Sequence, residues 1–185
     1  MRRSRATALS CIALAVALAG VSLAGPSLAD ARAGTDARAG ADARAYTAEE
    51  RAVLAAAEGL LDIINTRDGA AARRLLLPDG ALVRVIPTVE GGEPQAIPHR
   101  EFMHAIGLPG PAMHERMWEP EVLIHGPIAM VWTSYDFHVD GEFSHCGING
   151  FSLVQSNGEW QVAGVIYTVE EEGCPPSPLG PPELH

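Results

Sequence analysis

Chemistry needs titratable groups held close together, and the best-placed candidates lie in the last third of the chain. Asp136, His138 and His145 flank the dipeptide Asp140-Gly141. An Asp-Gly pair between β-rich runs marks a two-residue hairpin, because both central residues take positive φ. Such a turn sets Asp136 opposite His145, Ser134 opposite Gly147 and Trp132 opposite Asn149. Asn157-Gly158 is a second turn of this kind and sets Asn149 opposite Ile166 and Phe151 opposite Gly164. One face then carries Trp132, Ser134, Asp136, His138, His145, Asn149, Phe151 and Ile166. It is apolar at one end and polar at the other, as small-molecule sites are.

On this register Asp136 and His145 form a carboxylate–imidazole dyad. The carboxylate would fix the imidazole tautomer and raise its basicity, which suits acid/base work near neutral pH. Trp132, Ser134, His138, Asn149, Phe151 and Ile166 are the ligand-binding candidates. Two His and one Asp could in principle hold a metal, but no ligand-spacing motif supports it, and no metal is assigned. The sequence has no Gly-rich phosphate loop, Gly-x-Ser-x-Gly, His-Glu-x-x-His or Cys-x-x-Cys, so no cofactor is assigned either. His99, His104, His114 and His125 read as surface or loop residues. Glu115 and Trp118 lie where a strand could bring them to a pocket rim.

The elements that must position these residues follow from pattern. Thr47-Ala48-Glu49-Glu50 is a capping box, and Val53, Ala57, Leu60, Leu61 and Ile64 recur at helical spacing after it. Ala70–Leu77 reads as a second short helix ended by Pro78-Asp79-Gly80, then a strand over 81–86. Gly91-Gly92-Glu93-Pro94 reads as a loop, and 99–106 as a helix after Pro98. One strand interrupted at Pro120 spans 113–125, and three more follow over 128–139, 142–155 and 159–169. Helices followed by a meander of long strands make an α+β domain, with helices on one face of a curved antiparallel sheet.

Ahead of this domain lies an export signal. Arg2, Arg3 and Arg5 precede an uncharged apolar run over 6–24, and Ser27-Leu28-Ala29 gives the small residues that a signal peptidase reads. Ala29-Asp30-Ala31 is an alternative site. Residues 1–29 are therefore expected to be removed, and the protein to be secreted or periplasmic. Residues 30–45 repeat Asp-Ala-Arg-Ala without a large apolar side chain and read as a solvated linker. The tail over 175–185 is Pro-rich and expected to be extended and exposed. Of 13 basic residues three lie in the signal, so the mature chain holds 10 basic against 23 acidic residues, −13. All are Arg and none cluster. That balance excludes nucleic acid as a partner, and membrane after cleavage.

The residues 128–174 resemble the C-terminal hairpins of nuclear transport factor 2-like (NTF2-like) proteins, most of all the SnoaL-like and lumazine-binding-like branches. The likeness rests on Asp140-Gly141, on Asn149 through Leu153 and on Asn157-Gly158-Glu159-Trp160-Gln161-Val162. It implies a cone over 46–174 with a pocket against the inner sheet face, and a homodimer through the outer face. It implies no single reaction. In the lumazine-binding-like branch an acid often stands where this chain has Asn149, which weakens a general-base role there.

Cys146 and Cys174 survive cleavage and can pair in an oxidising compartment. The register sets Cys146 opposite Val169, so the tail must fold back to bring Cys174 to it. Three functions suit this sequence: an exported binder of a small, partly apolar molecule; an isomerase, cyclase or dehydratase using Asp136 and His145; or an interaction domain. The first is favoured, because no shared catalytic set is evident. Intact-mass analysis of protein exported by cells expressing the full chain is expected to show an N-terminus at Asp30. An uncleaved Met1 form in the exported fraction would contradict the signal.

Overall fold

The computed structural model describes residues 45–88 and 90–182. The export signal and almost all of the linker lie outside the described residues. Order begins with α1 (Ala48–Thr66). The capping box is formed: Thr47 Oγ1 accepts from Glu50 N at 3.1 Å, and Glu50 Oε2 accepts from Thr47 N at 2.8 Å. These bonds satisfy first-turn donors that would otherwise be left open. Val53, Ala57, Leu60, Leu61 and Ile64 are buried along one side. α2 (Gly69–Leu75) is capped by Asp68, whose Oδ1 accepts from Ala70 N and Ala71 N at 2.9 Å.

Six strands follow: β1 (Leu76–Thr88), β2 (Gly91–Pro98), β3 (Met113–His125), β4 (Ile128–Val139), β5 (Glu142–Ser156) and β6 (Glu159–Thr168). A third helix, α3 (His99–Ile106), separates β2 from β3. The sheet order is β2-β1-β6-β5-β4-β3. Only β1–β6 is parallel. The sheet is curved and unclosed, and the helices pack on its concave side, where the core gathers α1, Met103 and Ile106 against Val131, Phe151, Leu153, Val162 and Val165.

Several expectations change. The stretch 91–98 is strand, not loop. It is an exposed edge strand, where Pro94 and Pro98 need give up no ladder bond on the open side. Pro78-Asp79-Gly80 lies within β1, in the irregular stretch between Leu76 and Ala81. His99 is no surface histidine: it is fully buried, with Nδ1 2.6 Å from the Leu77 carbonyl oxygen. Gly80 leaves room for its ring, since a Cβ there would sit 2.5 Å from it.

The two hairpins turn as expected, with Asp140 and Asn157 at positive φ. Each also carries one extra residue. Ser144 is unpaired between His138↔Phe143 and Phe137↔His145. Ala163 is unpaired between Leu153↔Val162 and Ser152↔Gly164. A bulge of one residue slips the register by one beyond it and exchanges the faces of one strand relative to the other.

The described part of the tail is largely exposed, as expected, but it is anchored to the sheet. Cys146 and Cys174 form a disulfide, with Cα atoms 6.0 Å apart. Cys146 exchanges both backbone hydrogen bonds with Glu170, at 3.0 and 2.9 Å. The Pro-rich segment past Cys174 then lies over Arg116, Asp136 and His138 on the convex face. Arg116 Nη1 donates to the Gly180 carbonyl at 2.9 Å. The bridge closes a loop across 28 residues. Replacing both cysteines by Ser should lower unfolding free energy by about 3–4 kcal/mol, read by urea denaturation against wild type under oxidising conditions. Equal stability would show that the strap contributes nothing to the fold.

Candidate functional site

A cavity of about 170 Å³ lies between the helices and the concave face of the sheet. Leu60, Leu61 and Ile64 of α1, Phe102 and Ile106 of α3, and Phe151 of β5 make it mostly apolar. Its polar groups are Glu115, Tyr135, His145, Asn149 and Tyr167. Tyr135, Asn149 and Phe151 are buried, whereas Phe137, His145 and Tyr167 are half-buried and form the rim.

Glu115 is the chemical centre of this cavity. It stands on β3, the sheet's other edge. The side-chain amide of Asn65 in α1 caps its open backbone groups: Glu115 N donates to Asn65 Oδ1 at 2.7 Å, and Asn65 Nδ2 donates to Glu115 O at 3.1 Å. These two bonds tie helix to strand and fix where the carboxyl points. Asn149 Nδ2 donates to Glu115 Oε1 at 2.7 Å. Burial disfavours the charged carboxylate and pushes the Glu115 carboxyl up to about 7, with the Asn149 hydrogen bond opposing the rise and the Asp136 charge adding to it.

The other polar groups are set by the same surroundings. Tyr135 donates to the Thr168 carbonyl at 2.6 Å, and burial raises its phenol well above the usual range, with the Glu115 charge adding to the rise. Burial raises the Tyr167 phenol too. His145 stacks on Phe137 with ring centres 4.9 Å apart and meets the Tyr135 ring edge-on. Burial lowers its imidazole, against an opposing contribution from Glu171.

The bulges decide which sequence candidates reach this cavity. His145, Asn149 and Phe151 line it. Trp132, Ser134, Asp136, His138 and Ile166 are on the convex face, with Trp132 51% and Ile166 52% exposed. The Asp136–His145 dyad is not formed: Asp136 pairs across the strands with Cys146, and His145 with Phe137. Asp136 is instead held by Arg116 through Nε–Oδ1 at 2.9 Å and Nη2–Oδ2 at 2.5 Å. His138 Nδ1 stands 3.9 Å from Asp136 Oδ1. With His145 on the opposite face, the two His and one carboxylate do not converge. Among the described residues no group of three His, Cys, Asp or Glu is placed to hold a metal.

Sequence reasoning named Glu115 only as a rim candidate. The signal that could have raised it is an acid two residues from Met113 and two from Met117, at the strand's own period, so that it shares a face with apolar side chains.

A curved six-stranded sheet that wraps helices around an internal cavity defines the class of cone-shaped α+β domains. Its particular fold is the NTF2-like fold. An NTF2-like protein from Cytophaga hutchinsonii superposes with a TM-score of 0.55 at 16% identity, over 66% of this chain and 99% of that one. A protein with a cystatin-like fold from Nostoc punctiforme gives 0.54 at 12%, over 70% and 97%. A candidate dehydratase of the NTF2-like family from Streptomyces avermitilis gives 0.52 at 12%, over 65% and 95%. No protein-family model and no curated protein matches the chain.

The raised carboxyl makes a stability prediction. The folded chain retains the Glu115 proton up to about 7, whereas an unfolded carboxyl releases it near 4.5. Stability from this group is therefore full below the unfolded value and is lost as pH rises through 7. Glu115→Gln keeps the acceptor for Asn149 and cannot ionise. It should match wild type near pH 4.5 and exceed it at pH 8 by on the order of 3 kcal/mol, measured by urea unfolding at both pH values. The same difference at both would place an ordinary carboxyl at Glu115.

Proposed function

We propose that this is an exported binding protein whose cone takes up a small, partly apolar molecule and reads one polar group on it with Glu115 and Asn149. The observation that carries the reading is the single buried, oriented carboxyl facing a mostly apolar cavity. Concave, mostly apolar sites with a few convergent polar groups are what small ligands occupy. An apolar cavity of about 150 Å³ holds a benzene-sized molecule, so a body the size of one ring suits this one. Export is supported by the signal pattern at the N-terminus and by the Cys146–Cys174 bridge, which suits an oxidising compartment.

One observation favours a second reading, an isomerase, cyclase or dehydratase. A carboxyl held near 7 can both give and take a proton at neutral pH. In that reading Glu115 takes the acid/base role that Asp136 and His145 do not have the geometry to fill. Glu115→Gln separates the two, since it keeps shape and hydrogen bonding and removes proton transfer. A binder keeps its affinity in this variant, and an enzyme loses turnover.

Benzyl alcohol, a ring with one hydroxyl, is expected to give saturable NMR shifts at Glu115, Asn149 and Phe151. Glu115→Ala should weaken it roughly tenfold by removing the hydrogen-bonding carboxyl. Absence of any saturable shift at these residues would overturn the binding reading.

A further inference from the structure

The mouth of the cone carries a guanidinium that no described carboxylate pairs with. Leu82 and Ile97 both line the cavity, and β1 and β2 pair Leu82 with Ile97 and Arg84 with Gln95. Residues two apart on a strand share a face, so Arg84 stands one step beyond Leu82 on the concave side. The parallel ladder with β6 agrees. Leu82 is beside Val165 and Arg84 beside Tyr167, and both of those β6 residues line the cavity. The Arg84 charge is felt at Tyr167 and at His145, which places the guanidinium near the rim they form.

Arg84 is also short of partners. Its Nη2 donates to Gln95 Oε1, while Nε is buried without a hydrogen-bond partner. Among the described residues no carboxylate is within ion-pair distance of it. Of the acids at this end of the sheet, Glu170 Oε1 accepts from the Thr168 hydroxyl at 3.2 Å, Glu93 beside Ile86 is exposed, and Glu171, whose charge reaches His145, is exposed as well. A half-buried guanidinium without a counter-charge is costly, and its planar fork of donors fits a carboxylate. Two neutral donors face the same space. The Tyr167 hydroxyl has no hydrogen-bond partner among the described residues. Ser144 Oγ stands 3.0 Å from His145 Nδ1, and with that hydroxyl donating, the imidazole proton sits on Nε2 and can be donated in turn.

We propose that the ligand of the cone is a small carboxylate, with its apolar body among Leu60, Phe102 and Phe151 and its carboxylate at the mouth between Arg84, Tyr167 and His145. This deepens the binding reading and rests on it. Glu115 lies inside the cavity, where burial favours its neutral form, so it adds little opposing charge below neutral pH.

Benzoate and benzyl alcohol share the ring and differ in charge, and titrating both at pH 6 with calorimetric or NMR readout tests the assignment. Wild type should bind benzoate more tightly than benzyl alcohol. Arg84→Met keeps the apolar stem and should weaken benzoate by roughly tenfold to a hundredfold, the range of a lost charged hydrogen bond. It should leave benzyl alcohol within about twofold, since that contact uses no charge. Arg84→Lys keeps the charge without the fork and should fall between, and it carries the test if the Met variant does not fold. Benzyl alcohol binding as tightly as benzoate, with benzoate indifferent to both variants, would overturn the carboxylate assignment and leave the cone a binder of neutral molecules. If neither compound binds, both the assignment and the binding reading fail.

Discussion

The polar content of the cavity depends on two residues without a partner across the sheet, Ser144 and Ala163. A strand shows alternate side chains to opposite faces, so one unpaired residue reassigns everything beyond it. Between them the two bulges put His145, Asn149, Val165 and Tyr167 on the concave face with Tyr135 and Phe137. Removing either would carry an imidazole or a phenol to the other side of the sheet. Bulges also sharpen local twist, which suits a sheet that must bend around α1.

The two faces of the sheet solve the burial of charge differently. On the convex face Asp136 is matched by the bidentate Arg116 and covered by a strap that the disulfide holds in place. The pair is complete within the chain, and breaking one partner of a buried pair costs about 3–5 kcal/mol because the other charge is stranded. Asp136 is thereby a structural carboxylate. On the concave face Glu115 has a neutral amide for a partner and an apolar cavity in front of it. A carboxyl in that position lowers its cost by holding its proton to higher pH. The difference between the two acids is one of surroundings, and it separates the residue that holds the fold from the residue that can meet a ligand.

Arg84 completes this contrast. Arg116 has its carboxylate within the chain, whereas Arg84 has only the Gln95 amide and a buried, unpaired Nε. A cone with an apolar floor, one adjustable acid and one unmatched cation at its mouth is built for a small molecule with a body and a charged end. The NTF2-like fold leaves such choices open, because the sheet supplies the cavity and the side chains on its inner face supply the chemistry.

Local features of this protein were legible residue by residue. The Thr47–Glu50 capping box, the helix over 99–106 and both Gly-containing turns depend on neighbours within four positions, and each stands where the pattern puts it. The α+β class and the Cys146–Cys174 pairing were legible too. The first follows from the order of helix and strand patterns, the second from having two cysteines after the signal. The edge strand β2 was hidden by its Gly and Pro content, which reads as loop until β1 is there to pair with it. The facing of Asp136, His145 and Ile166 was not legible, because a bulge is settled by how a whole sheet bends and leaves no fixed local mark. Glu115 became central only when Asn65, 50 positions away in the chain, met β3 across the helix–sheet interface. Residue order determined the elements and their turns. The tertiary structure decided which side of the sheet each side chain serves, because that depends on register summed over strands and not on any one segment.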